Sequence, residues 1–379
     1  MLININDAEF YTAMGNAYQR VGQGDKANAY FKKSLDLSEQ RYGENDEHVA
    51  IANMRYGQSL RKNGYYEKSK AYLDKSAEFY KLLVPLVGTG TMLPLGMSIF
   101  GGMIAGAVIG KTFGRRLFSA HAKKNDYNEV NAKSDIEINY DKSLDAAKVY
   151  NQLAKWYCEQ GDCENALLYC QKAYDIAFEK AETYKRAKTK LYYITDTMAG
   201  IKYESAEYEE ALNYYKESLY LKQELYSKET IYYMHSYLGV AKCKYMLNEF
   251  QEALKWIIKA MDLAEQMKGS DSIDTAKVYY IAAKIYQELG DNKEATMYYD
   301  QALKVEERIL GKTNSFTLLV AVDYMYYRCV NLGITIMNDD YLEMVDKIKS
   351  KTRPHTASFQ QMYKKLDKIA EMNNFDKVV

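Results

Sequence analysis

One pattern returns along this chain and constrains its fold more than any other feature. "YTAMGNAYQRVGQGDKANAYFKKSLDL" at 11–37 recurs as "YNQLAKWYCEQGDCENALLYCQKAYDI" at 150–176 and as "YIAAKIYQELGDNKEATMYYDQALKV" at 280–305. Small residues recur at two places in each unit. The first series is Gly15, Gly57, Ala154, Ala199, Ala241 and Ala283; the second is Ala27, Ser69, Ala166, Ala211, Ala253 and Ala295. Between them stands a turn residue: Gly22, Gly64, Gly161 and Gly290, with Ala206 and Asn248 in the fourth and fifth units. Small residues at helical spacing mark where two antiparallel helices approach closely, and the interleaved aromatic and leucine side chains fill the gaps between them. A single helical pair cannot bury its apolar face alone, so the pairs must stack. Only three prolines interrupt the chain, Pro85, Pro94 and Pro354, which permits long helices.

This signature resembles the tetratricopeptide repeat over about six units. The resemblance implies an all-α fold, a right-handed superhelical solenoid of antiparallel helix pairs. The spacing from Ala27 to Ser69, from Ala211 to Ala253 and from Ala253 to Ala295 is 42 residues in each case, against about 34 in the plain repeat. This longer period looks like the kinesin-light-chain subclass. The expected organisation is repeats 1–2 over 1–80, a hydrophobic insertion over 81–118, a polar linker over 119–145, repeats 3–6 over 146–310, and capping helices over 311–379.

In such repeats the first helix of each unit lines the concave face. Its ninth position here is Asn16, Gln58, Lys155, Gly200, Lys242 and Lys284. The resemblance therefore implies a partner groove containing Asn151, Lys155, Tyr203, Lys242, Tyr245, Tyr280 and Lys284. Three lysines on one wall favour an acidic peptide or protein segment, and the tyrosines offer flat contact area. Ordinary solvated lysines are the alternative. The clamp of chaperone-binding repeats is not matched, because Thr12 and Met54 occupy its positions, and the asparagine ladder of kinesin light chains is absent.

The regular period breaks once. Ser69 and Ala166 lie 97 residues apart, and the 29 residues from Leu82 to Gly110 include no charge. Within this interruption "GGMIAGAVIGKTFGRR" at 101–116 admits two readings. Ala105, Gly110, Lys111 and Thr112 fit a loose phosphate-loop pattern, but such a loop needs a strand before it and a parallel sheet around it. The flanks are helical repeats instead, and Val108 and Ile109 add bulk where backbone amides should cradle phosphate. Alternatively, Ser98, Gly102, Gly106, Gly110 and Gly114 set a small residue every four positions, similar to the glycine zippers of membrane helices. That pattern points to membrane contact through 82–113 or to self-association as a homo-oligomer. A soluble excursion folded back on the repeats competes with it. A constitutive span would part repeats 1–2 from repeats 3–6.

Lysine plus arginine and aspartate plus glutamate number 51 each, which gives no overall pull toward nucleic acid. The odd count of five cysteines, without a CxxC, disfavours a zinc site or disulfide framework. The amino-terminal "MLININDAEFY" lacks the pattern of a signal peptide, so a cytoplasmic place is expected, with membrane association as an option. No catalytic constellation appears, and no cofactor or metal is expected. The reading is a non-enzymatic interaction scaffold or adaptor. The alternative is a membrane-disrupting effector whose zipper is sheathed by a partner-sensing repeat domain.

Overall fold

The computed structural model describes residues 8–83, 129–181, 184–349 and 357–375. These residues form fifteen helices and no strand. They are α1 (Ala8–Arg20), α2 (Gly24–Tyr42), α3 (Glu47–Lys62), α4 (Tyr66–Leu83), α5 (Glu129–Glu159), α6 (Cys163–Ala181), α7 (Lys185–Glu204) and α8 (Tyr208–Leu225). Then follow α9 (Ile231–Met246), α10 (Phe250–Lys268), α11 (Ile273–Glu288), α12 (Asn292–Leu310), α13 (Ser315–Val330), α14 (Asn338–Lys349) and α15 (Ala357–Asn373). Six consecutive pairs, α1–α2 through α11–α12, are the repeats.

Each pair reverses direction through the same turn. Gly22, Gly64, Gly161 and Gly290 adopt positive φ, between 75° and 82°. The next residue donates its N–H to the carbonyl five positions back: Gln23 to Tyr18 (3.0 Å), Tyr65 to Leu60 (2.9 Å), Asp162 to Tyr157 (3.0 Å) and Asp291 to Tyr286 (3.0 Å). This is the glycine-based helix stop that satisfies the last free carbonyls. Ala206 (φ 61°) and Asn248 (φ 59°) make the same turn, with Glu207 donating to Lys202 and Glu249 to Lys244, each at 2.9 Å. The departure from glycine in units four and five thus changes the local strain and not the topology.

The small residues stand at the helix contacts. Ala27, Ser69, Ala166, Ala211, Ala253 and Ala295 are all fully buried. A Cβ on Gly57 would meet Leu73 at 3.0 Å and the Ser69 carbonyl at 3.1 Å, and one on Gly239 would meet the Tyr215 ring at 2.3 Å.

The stack continues across the interruption. Leu73, Ala77 and Tyr80 of α4 share one core with Ala146, Val149 and Leu153 of α5. The Trp156 indole donates to the Tyr66 carbonyl at 2.9 Å, and Arg61 pairs with Glu159. Repeats 1–2 and 3–6 are therefore neighbours in one solenoid. The expected linker over 119–145 is corrected in part, since α5 is helical from Glu129 onward. No glycine or proline lies between 129 and 160, so nothing stops the first helix of repeat 3 from extending toward its amino end.

Beyond repeat 6, α13, α14 and α15 enclose a separate core of Leu318, Val322, Tyr341, Val345, Ile348 and Leu366. All three helices lie within the 311–379 stretch expected to hold capping helices. The zipper positions Ser98, Gly102, Gly106, Gly110 and Gly114 lie outside the described residues. Among the described residues, no helix is long and apolar enough to cross a membrane.

Candidate partner groove

The expected groove residues sit on the first helices of repeats 3 to 6. Asn151 and Lys155 are one turn apart on α5, Tyr203 is on α7, Lys242 and Tyr245 are on α9, and Tyr280 and Lys284 are on α11. The three lysines differ in ways their shared sequence position conceals. Lys155 and Lys242 are half-buried and form no ion pair among the described residues. The Lys242 ammonium lies 4.0 Å from the centre of the Tyr203 ring, a close cation–π contact. Lys284 is 3.8 Å from Asp323 of α13, so its charge is already opposed.

Tyr280 is corrected from groove to core. It is 5% exposed, and its hydroxyl donates to Asp323 at 2.8 Å. Asp323 also receives Lys365 from α15. The physical reason is the C-terminal cap, which brings a carboxylate against the last repeat where an open groove was expected. Asn151 is also buried, at 6% exposure, and its Oδ1 has no hydrogen-bond partner among the described residues. Tyr203 and Tyr245 remain half-buried.

Partial loss of hydration disfavours the charged form of several cations on these helices. Burial pushes the Lys155 ammonium below its ordinary range, neighbouring Arg61 adds to this, and Asp196 opposes it. Burial lowers Lys242 likewise, with Glu204 pulling it back. Lys190 is pulled down to about 8 by burial and by Lys148 and Arg186. His235, though exposed, is lowered by desolvation, against Asp196 and Asp274.

One polar network went unseen in the sequence. Lys222 of α8 is fully buried and donates to Asp196 at 2.8 Å and to the Ser236 hydroxyl at 2.6 Å. Ser236 in turn donates to Asp196 at 2.8 Å. A lysine beside a serine hydroxyl has the makings of a nucleophile and its base. Here both Lys222 and Ser236 have no exposed surface, so the pair ties α7, α8 and α9 together without reaching a substrate. The thiols of Cys158, Cys170 and Cys243 are pushed up to about 12 by burial, which makes them poor nucleophiles at neutral pH.

Two concavities accompany this arrangement. The larger, about 490 Å³, runs along α12 and the loop after it, and its lining of Asp300, Lys304, Glu307, Arg308 and Lys312 is mixed in charge along one helix face. The smaller, about 170 Å³, opens between α1 and α3 at the amino end of the solenoid.

Comparison with known proteins agrees with the repeat geometry. A tetratricopeptide-repeat profile matches residues 7–81, 190–266 and 234–308, and a second tetratricopeptide-repeat profile matches 146–177. The chain belongs to the tetratricopeptide-repeat family. Its fold is similar to that of the Rap conjugation gene regulator of the plasmid pLS20, solved in complex with the Phr* peptide, at a TM-score of 0.54 and 9% identity, covering 97% of this chain and 95% of that one. Aspartyl phosphate phosphatase F from Bacillus subtilis is similar at a TM-score of 0.50 and 13% identity, covering 100% of this chain and 92% of that one. A signal transduction ATPase with numerous domains and a tetratricopeptide-repeat sensor, from Pyrococcus horikoshii, is similar at 0.51 and 14% identity; 98% of this chain is covered, but only 45% of that protein. No curated protein matches the chain in sequence.

Proposed function

We propose that this protein is a non-enzymatic interaction scaffold whose concave groove takes an acidic peptide or protein segment. The observation that carries the reading is the pair Lys155 and Lys242, two half-buried lysines without an ion pair among the described residues and with their charged forms disfavoured by lost hydration. An anionic partner would offset that cost at both sites. Tyr203 and Tyr245 flank these groups with flat surface. The Rap regulator of similar fold was solved with a peptide, which accords with a peptide as the ligand class.

The test is fluorescence anisotropy with acidic and basic peptides of equal length, followed by the double variant Lys155→Glu with Lys242→Glu. The acidic peptide is expected to bind preferentially and to lose about tenfold or more in affinity with the double variant, as for desolvated charge contacts. Unchanged affinity in a folded double variant would refute the assignment.

The small-residue ladder of Ser98, Gly102, Gly106, Gly110 and Gly114 extends this proposal to membrane contact or self-association through the insertion. Its support is the four-residue spacing, which suits close helix packing in lipid. Gly106→Leu with Gly110→Leu should abolish crosslinked assembly while raising simple lipid partitioning. Unchanged liposome flotation and crosslinking would remove the insertion from the proposal.

A further inference from the structure

The cleft between α1 and α3 is lined by cations, amides and one aromatic ring. Asn16, Gln19 and Arg20 come from α1 at helical spacings of three and four, and Arg55, Gln58 and Lys62 come from α3 at the same spacings. The Phe31 ring of α2 closes the lining, packed where Gly15 has no side chain; a Cβ there would meet the ring at 2.9 Å. The cleft holds three cations and three primary amides, and no carboxylate lines it. None of the six side chains makes a hydrogen bond or ion pair among the described residues. Arg61, next in the chain, instead turns away to pair with Glu159.

We infer that this cleft is a binding site for a phosphate-monoester dianion. Charge and donor count distinguish a phosphate from a carboxylate in this cleft. A carboxylate brings one charge and two acceptor oxygens, whereas a phosphate monoester brings about −1.5 to −2 and three strong acceptor oxygens. Two guanidinium groups can each engage such a group through paired N–H donors, and a lysine adds a third charge from the side. The three amides supply neutral N–H donors around the same space. A volume of about 170 Å³ admits a compact group of this kind and its first linking atoms. The site faces further positive charge: Lys62 is driven below its ordinary range by burial, then by Arg61 and Lys277, with Asp274 opposing. A dianion would relieve this crowding. Asn16 and Gln58 hold in repeats 1 and 2 the position that Lys155 and Lys242 hold in repeats 3 and 5, so the cleft shares the repeat geometry of the groove reading. Its variants leave Lys155 and Lys242 intact and can fail separately from it.

The phosphate group has two sources, a small phosphorylated metabolite or a phosphorylated side chain of a peptide. Isothermal titration calorimetry on the full chain separates them, with inorganic phosphate, O-phosphoserine, a peptide bearing one phosphoserine, and succinate as probes. O-phosphoserine is expected to bind at one site, with succinate about tenfold weaker or more. Similar affinities for O-phosphoserine and the phosphopeptide identify a metabolite source, and a much tighter phosphopeptide identifies a modified side chain. Arg55→Gln should weaken O-phosphoserine about tenfold or more, consistent with losing a charge-assisted contact. Gln58→Glu should abolish binding by placing a like charge in the cleft while leaving all three cations in place. Lys304→Gln, on the surface of α12, should change nothing. Absence of saturable binding, succinate binding as tightly as O-phosphoserine, or full binding by Arg55→Gln and Gln58→Glu proteins of unchanged melting temperature would each overturn the site.

Discussion

Glu306 of α12 is a carboxylate with no exposed surface, and neither of its oxygens has a hydrogen-bond partner among the described residues. At the corresponding places of repeats 4 and 5 stand Lys222, which is buried in a bonded network, and Ala264, which is apolar. Burial pushes the Glu306 carboxyl from its ordinary 4.5 up to about 8, with Lys277 opposing. Between these two values the folded chain holds a proton that the unfolded chain has released. Stability from this group is therefore fully present below about 4.5, declines as pH rises, and is lost once pH passes about 8. At 1.36 kcal/mol per pH unit, that interval corresponds to roughly 3–6 kcal/mol. Glu306→Gln keeps the shape and removes the titration. Its buried amide lacks partners too, at a cost of about 1–3 kcal/mol that does not vary with pH. The variant should therefore be no more stable than the parent at pH 5 and more stable at pH 9. Urea unfolding at pH 5, 7 and 9, followed by circular dichroism, measures the difference. Stability profiles that run parallel for parent and variant would refute the reasoning.

Ala206 holds a left-handed turn that glycine adopts freely, at φ 61°. Ala206→Gly should stabilise the fold by about 0.5–1 kcal/mol, the relief of strain exceeding the extra entropy of the unfolded chain; a lowered melting temperature would contradict this. Gly239→Ala should destabilise by about 1–3 kcal/mol through overpacking against the Tyr215 ring, and pairing it with Tyr215→Leu should restore part of the loss in thermal denaturation. Because α4 shares a core with α5, and Arg61 of α3 pairs with Glu159 of α5, cleavage at a protease site placed within 84–128 should leave the two pieces together on size-exclusion chromatography. Separation without denaturant would show that the interface does not hold by itself.

The repeat architecture was legible in the residues because its steric demands are local. A helix pair that approaches closely needs a small residue at a set place, so Ala27, Ala166, Ala211, Ala253 and Ala295 announce their contacts. The turns at Gly22, Gly64, Gly161 and Gly290 announce theirs through backbone conformation. The start of α5 was not legible, since absence of helix breakers permits an extension without requiring it. The groove was legible only as a set of positions. Lys155, Lys242 and Lys284 share one place in the repeat, yet Lys284 meets Asp323 from the C-terminal cap and the other two meet no carboxylate within ion-pair distance. Tyr280 leaves the groove for the same reason. The cations of the α1–α3 cleft were visible as residues, but their convergence required two helices 39 to 42 positions apart to be laid side by side. Helix formation and close packing follow from spacing along the chain. Ion pairing and desolvation depend on which groups the superhelix brings within a few ångströms, and that was decided only in three dimensions.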